Sequence, residues 1–251
     1  MPFDVFFKQV SNVLFLSRGK NEKMIFANKV LFSMASRADA ALEAGLAASR
    51  NHTTIERTPK GGKFRLIGLS QYEKKGKSAC TVVSMLLAIL HMRGKMPSDR
   101  QLKNAVEQGV KLHQEWKQEQ KQEHMDAREV ATKMNGSFRL RHQCVDLHRK
   151  FAFTNGDLQS ILKGAANDGD KKRVFVFTAQ ALTVTIVLMP SKGQFLVLDS
   201  HGLKNGTIDI SKTYEACFSS VGLLLDFLVR TRFPFTEEPT MQYGDLYEIH
   251  E

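Results

Sequence analysis

The chain has 251 residues, 42% hydrophobic and 25% charged, with 36 Lys and Arg against 26 Asp and Glu for a net charge of +10. That is an ordinary globular composition, and no repeat or low-complexity tract interrupts it. The longest apolar run, Thr81 to Leu90, falls short of the roughly 18 to 20 residues a membrane-spanning helix needs. The start, Met1-Pro2-Phe3-Asp4, has neither the basic region nor the cleavage site of a signal peptide. Three cysteines, Cys80, Cys144 and Cys217, argue against a disulfide framework. They fit a reducing compartment, cytoplasm or nucleus, a host cell's included. The basic residues are scattered and interleaved with acids, as in Lys111 to Glu123. The excess charge is therefore read as solvated surface or attraction to an acidic protein, and no nucleic-acid partner is expected.

In chain order, residues 1 to 60 form one expected unit, a helical N-terminal extension. Phe3, Phe6, Phe7, Val10, Val13 and Leu14 fall at helical spacing, and Met24 to Arg50 is rich in helix formers. The apolar stripe suits packing onto the second unit, or a membrane surface or partner. Thr58-Pro59-Lys60-Gly61-Gly62-Lys63 is a turn-rich break, and residues 61–251 form the second unit. Phe64 to Leu69 suits a short strand, and Ser70 to Lys77 a polar loop. A helix is expected from Thr81 to Met92, ended by Gly94, with Cys80 at its start. Pro97-Ser98-Asp99 opens a second helical stretch with Leu102, Val106, Val110, Leu112 and Trp116 on its apolar side. Met125 to Met134 continues it until Asn135-Gly136.

The second half changes period. Phe138, Leu140, His142 and Cys144 alternate as in a strand, and Asn155-Gly156-Asp157 caps a helix over Leu158 to Ala166. Arg173 to Thr178, Leu182 to Met189 and Gln194 to Leu198 read as successive antiparallel strands, with Ser191-Lys192-Gly193 as a hairpin turn. Thr207 to Ile210 suits a further short strand, and Phe218 to Val229 an apolar helix. The fold class is thus α+β, with a helical lobe facing a mainly antiparallel sheet.

Two stretches carry chemistry: Ser78-Ala79-Cys80-Thr81, and Phe195 to Gly202, an apolar strand running into Asp199-Ser200-His201. A helix N-terminus favours a thiolate, and a basic loop with Lys74, Lys75 and Lys77 precedes Cys80. A cysteine before an apolar run also serves as a small core residue. Strand alternation puts Asp199 and His201 on one side and Ser200 on the other. A carboxylate there can orient the imidazole, which can then activate a thiol. The bland alternative is a strand-end turn with an exposed histidine. Gln71, the one glutamine in the loop before Cys80, suits an oxyanion donor beside the Cys80 N–H, or a solvated polar residue. Cys144 lacks a helix start to activate it, and Cys217 has no nearby histidine and reads as packing. His142, Cys144 and His148 lack a pair at zinc-like spacing. No metal or cofactor is expected.

Gln71, Ser78 to Thr81, the strands Val174 to Thr178 and Leu182 to Leu188, and Val197 to Gly202 resemble the deubiquitinase domain of herpesvirus large tegument proteins and its non-viral tegument-like relatives. The likeness spans residues 64 to 232 or so. It implies a papain-like cysteine peptidase fold with Cys80 as nucleophile, His201 as general base, Asp199 as orienting acid and Gln71 as oxyanion donor. It further implies a deubiquitinase that cleaves after the ubiquitin C-terminal glycine through a thioester, with ubiquitin or polyubiquitin as partner. Two alternatives stand beside it. One is another Cys/His/Asp enzyme, such as a protease of a ubiquitin-like modifier or an acyltransferase. The other is a non-catalytic basic binding module.

Overall fold

The computed structural model describes residues 61–74, 76–93, 96–120, 124–134, 138–148, 156–205, 208–237 and 242–250. The extension expected over residues 1–60 lies outside the described residues, as do Gly94, Asn135 and Gly136, expected to end helices. The strands are β1 (Gly62–Leu66), β2 (Arg139–Asp146), β3 (Arg173–Ala179), β4 (Leu182–Met189), β5 (Gln194–Asp199), β6 (Leu203–Asn205), β7 (Ile208–Ile210), β8 (Tyr214–Phe218) and β9 (Tyr243–His250). The helices are α1 (Cys80–Met92), α2 (Asp99–Gln120), α3 (Ala127–Lys133), α4 (Leu158–Asn167) and α5 (Val221–Phe227). Seven strands form one sheet in the order β1-β8-β5-β4-β3-β9-β2, every neighbouring pair antiparallel, and β6 pairs with β7 as a separate hairpin. The α+β architecture with a mainly antiparallel sheet matches the expectation.

Strand alternation divides the interior into two cores. On one face, Phe175 and Phe177 of β3, Ile186 of β4, Val197 of β5 and Tyr214 of β8 pack with α4 and α5. On the other, Val174, Val176, Val187, Leu196 and Leu198 pack against α1, α2 and α3. The near-continuous apolar character of β3 to β5 follows, because both faces are covered. Apolar on nearly every side, α1 has ten of its thirteen residues buried, so it is the central helix of its layer. It crosses α2 at Gly109, where a Cβ would fall 2.8 Å from the Val83 Cα. That close approach needs glycine.

Local signals located most elements. Asp157 caps α4 by accepting from the Ser160 N–H at 2.9 Å, and Asp126 with Glu129 forms a capping box at α3. Gly193, at φ +57°, closes the turn between β4 and β5. The helix expected over Phe218 to Val229 is corrected. Phe218 ends β8, whose Tyr214, Ala216 and Phe218 face the α5 core, and helix begins only after the Ser220 cap. It then widens into a π-helical segment, Leu228–Arg232. The C-terminal strand β9, not anticipated from the sequence, inserts between β3 and β2. Among the described residues, no helix is long and apolar enough to cross a membrane.

Candidate active site

Cys80 is the first residue of α1 and is buried. Its N-cap residue is Ala79, which has no side chain to cap the first-turn N–H groups. The helix sits on β4 through hydroxyls. Ser84 Oγ donates to the Thr183 carbonyl at 3.0 Å, and Thr185 Oγ1 donates to the Ser84 carbonyl at 2.8 Å. Cys80 Sγ lies 3.7 Å from Thr183 Oγ1, which also meets Thr81 Oγ1 at 3.2 Å and Thr178 Oγ1 at 3.0 Å. These contacts fix the sulfur from the sheet side.

Asp199 ends β5 on the α5 face, fully buried. Its Oδ1 accepts from His201 Nδ1 at 2.7 Å and from the His201 backbone N–H at 2.8 Å. Its Oδ2 accepts from the Tyr214 hydroxyl at 3.2 Å and ion-pairs with Arg232 Nε. The chain then turns at Gly202, φ +78°, where a Cβ would fall 2.1 Å from the Ile210 carbonyl oxygen, so only glycine fits.

The electrostatics join these parts. Burial pushes the Cys80 thiol up, but the hydrogen bond and charge of His201, with hydrogen bonds from Thr183, outweigh it and hold the thiol below its ordinary value. Burial pulls the imidazole down, yet its bonds to Asp199 and Cys80 raise His201 to about 9. Burial pushes Asp199 up, and the Arg232 charge and the His201 hydrogen bonds more than reverse it. Both shifts favour the thiolate–imidazolium form of the Cys80–His201 pair, with the Asp199 carboxylate behind it. The other thiols differ. Burial and the Asp245 charge raise Cys144, and burial and the Glu215 charge raise Cys217. Cys217 lies on β8. The His142 ring is taken up by Asp245 at 2.6 Å and Arg128 at 2.7 Å. No cluster of three or more metal-ligating residues occurs among the described residues.

Gln71 is buried rather than solvated. Its Oε1 accepts from Ser200 Oγ at 2.9 Å, while its Nε2, also buried, has no well-aligned acceptor and faces the Tyr72 hydroxyl. Its backbone N–H donates to the Ser200 carbonyl at 3.3 Å, and its own carbonyl accepts from Gly76 N–H at 2.9 Å. A surface cleft of about 740 Å³ opens beside His201, with Tyr72, Glu73, Leu182, Asp209 and Ile210 on its walls. The structure therefore brings Cys80, Asp199 and His201 together and places Gln71 against the segment that carries Asp199 and His201. It adds Thr183, Ser200, Tyr214 and Arg232, which the sequence reading did not single out as site residues. Two threonines at alternate positions of a buried strand were a signal for Thr183; nothing local marks Arg232.

No protein-family model matches the chain, and no curated protein matches it in sequence. Among solved structures, it is similar to the ubiquitin-specific protease encoded by the murine cytomegalovirus tegument protein M48, solved in complex with a ubiquitin-based suicide substrate. The TM-score is 0.57 at 14% identity, covering 74% of this chain and 85% of that one. The Pseudomonas avirulence protein AvrPphB aligns at a TM-score of 0.38 and 11% identity, over 69% of this chain and 92% of that one. At such identity the M48 likeness bears on the fold alone, and the fold is that of a papain-like cysteine peptidase.

Proposed function

We propose that the protein is a cysteine-dependent deubiquitinase. The observation that carries the reading is the buried Cys80–His201–Asp199 arrangement, whose thiol is held low and whose imidazole is held high. In this reading the Cys80 thiolate attacks the carbonyl of the C-terminal glycine of ubiquitin. The carbonyl electrons move onto oxygen, where the Cys80 N–H and Gln71 Nε2 stabilise the charge. The tetrahedral adduct collapses, the C–N bond breaks, and the His201 imidazolium gives its proton to the leaving amine. Neutral His201 then takes a proton from water, which attacks the thioester and releases the ubiquitin carboxylate and the Cys80 sulfur. Asp199 keeps the imidazole in the tautomer that has Nε2 toward the sulfur.

Ubiquitin is favoured as substrate by the complex in which M48 was solved. The test is incubation with ubiquitin bearing a C-terminal thiol-reactive group, wild type against Cys80→Ala. An adduct one ubiquitin heavier in wild type alone supports the reading. An adduct formed only with another modifier reassigns the substrate, and no adduct with any modifier removes the peptidase reading.

A further inference from the structure

We propose that Ser200 is a positioning residue for the Gln71 amide, orienting its N–H toward the reacting carbonyl; the inference rests on the peptidase reading above. Three observations carry it. First, β5 alternates, with Phe195, Val197 and Asp199 on the α5 face and Leu196 and Leu198 on the α1 face. Ser200 is the first residue beyond β5, in the bend after Asp199, and its hydroxyl meets Gln71 in the loop that leads to Cys80. The strand end and its bend thus send Asp199 to the imidazole and Ser200 to Gln71.

Second, the Ser200–Gln71 contact is fully buried at both ends and doubled by a backbone bond from Gln71 N–H to the Ser200 carbonyl. The loop is fixed on its other side as well, by Gly76 N–H on the Gln71 carbonyl and Ala79 N–H on the Gly76 carbonyl. Gln71 is therefore held between the His201 segment and the start of α1.

Third, Gln71 Nε2 is buried and has no well-aligned acceptor, its polar neighbour being the Tyr72 hydroxyl. A buried donor without a well-formed bond is rare in native proteins and points to a use. The neighbouring Tyr72 hydroxyl is raised above all by burial; a side-chain hydrogen bond with Gln71 and the Arg232 charge lower it, and the charges of Cys80 and Asp199 raise it. The Gln71 amide thus has its N–H side toward the Tyr72 hydroxyl and its carbonyl oxygen on Ser200. The Ser200 hydroxyl accommodates that arrangement by donating to Oε1. Without it, the amide is free to rotate or flip, and the oxyanion donor is lost while Cys80, His201 and Asp199 stay in place.

The experiment compares wild type, Ser200→Ala, Gln71→Ala and the double variant of the full chain. Two readouts are taken: hydrolysis of a fluorogenic ubiquitin C-terminal amide, and alkylation of Cys80 by iodoacetamide across pH. Alkylation needs a thiolate but forms no oxyanion, so it reports the Cys80–His201 pair alone. Ser200→Ala is expected to lower kcat by about 10-fold or more with KM within about twofold. Its alkylation rate and pH profile stay at the wild-type values, and it adds no loss on the Gln71→Ala background. Full kcat in Ser200→Ala beside an active wild type overturns the inference and leaves the peptidase reading intact. So does a shifted alkylation profile, which puts the effect on His201, or a loss additive with Gln71→Ala. A wild type that hydrolyses neither this substrate nor the corresponding amide of any other modifier overturns both readings, and activity on another modifier alone moves the same comparison to that substrate.

Discussion

Asp199 Oδ1 accepts both the ring Nδ1–H and the backbone N–H of His201, at 2.7 and 2.8 Å. The two bonds fix the ring's tautomer and its rotation together, and the carboxylate charge stabilises the imidazolium. Asp199→Asn preserves shape and removes the charge. Peptidase activity is expected to fall on the order of 10²-fold or more. The alkylation profile of Cys80 should move to higher pH, because a weaker imidazolium holds the thiolate less well. An unchanged profile would count against Asp199 as the group that raises His201.

The pH dependence of kcat/KM should be a bell. Below the lowered thiol pKa the sulfur is protonated and does not attack. Above about 9, His201 loses the proton that the proposed mechanism gives to the leaving amine, so hydrolysis of an amide should fall. The falling limb is expected near that value and the rising limb below the ordinary thiol value of about 8.5. A single rise centred at an ordinary thiol pKa would contradict the ion pair.

Arg232 and Asp199 form a nearly dry pair, with side-chain exposures of 9% and 0%. Removing one partner of such a pair leaves a buried uncompensated charge and costs about 3–5 kcal/mol. Arg232→Met should lower the denaturation midpoint accordingly, and Asp199→Asn should do the same by stranding the guanidinium. The double variant is expected to lose clearly less than the sum, since neither charge is then stranded. Additive losses in urea denaturation would show that the pair is not coupled.

His91, near the end of α1, is buried with Nε2 3.9 Å from Glu215. Burial, then the charges of Lys172 and Arg65, pushes its pKa to about 3. An unfolded histidine titrates near about 6.5. Between those values the unfolded chain binds a proton that the folded chain refuses. His91's contribution to stability is thus complete above about 6.5 and lost as pH falls, at up to about 1.4 kcal/mol per pH unit. Glu215, raised by burial despite Arg65, acts in the opposite sense and offsets part of this at the acidic end. Thermal midpoints from pH 7 to 5 should fall more steeply for wild type than for His91→Gln. Parallel slopes would remove His91 as the cause.

Local pattern determined a good deal of this molecule. The apolar run after Cys80 made a buried helix, because no polar face remained to meet water. The Asp157 cap and the Val- and Thr-rich segments from Arg173 to Leu198 placed α4 and three adjacent strands. Asp199 and His201 were legible as a pair from their two-residue spacing at the end of an apolar strand, although β5 stops at Asp199 and a bend, not strand alternation, carries His201. What the long-range contacts decided is different in kind. Arg232 reaches Asp199 only because a π-helical segment follows α5, and Thr183 reaches Cys80 only because α1 lies across β4. Ser200 meets Gln71 across 129 positions of chain. β9 finds its place between β3 and β2 by completing hydrogen bonds on both sides, which nothing within Tyr243–His250 encodes. Periodicity says which way a side chain points. Which partner waits there is set by how the layers pack.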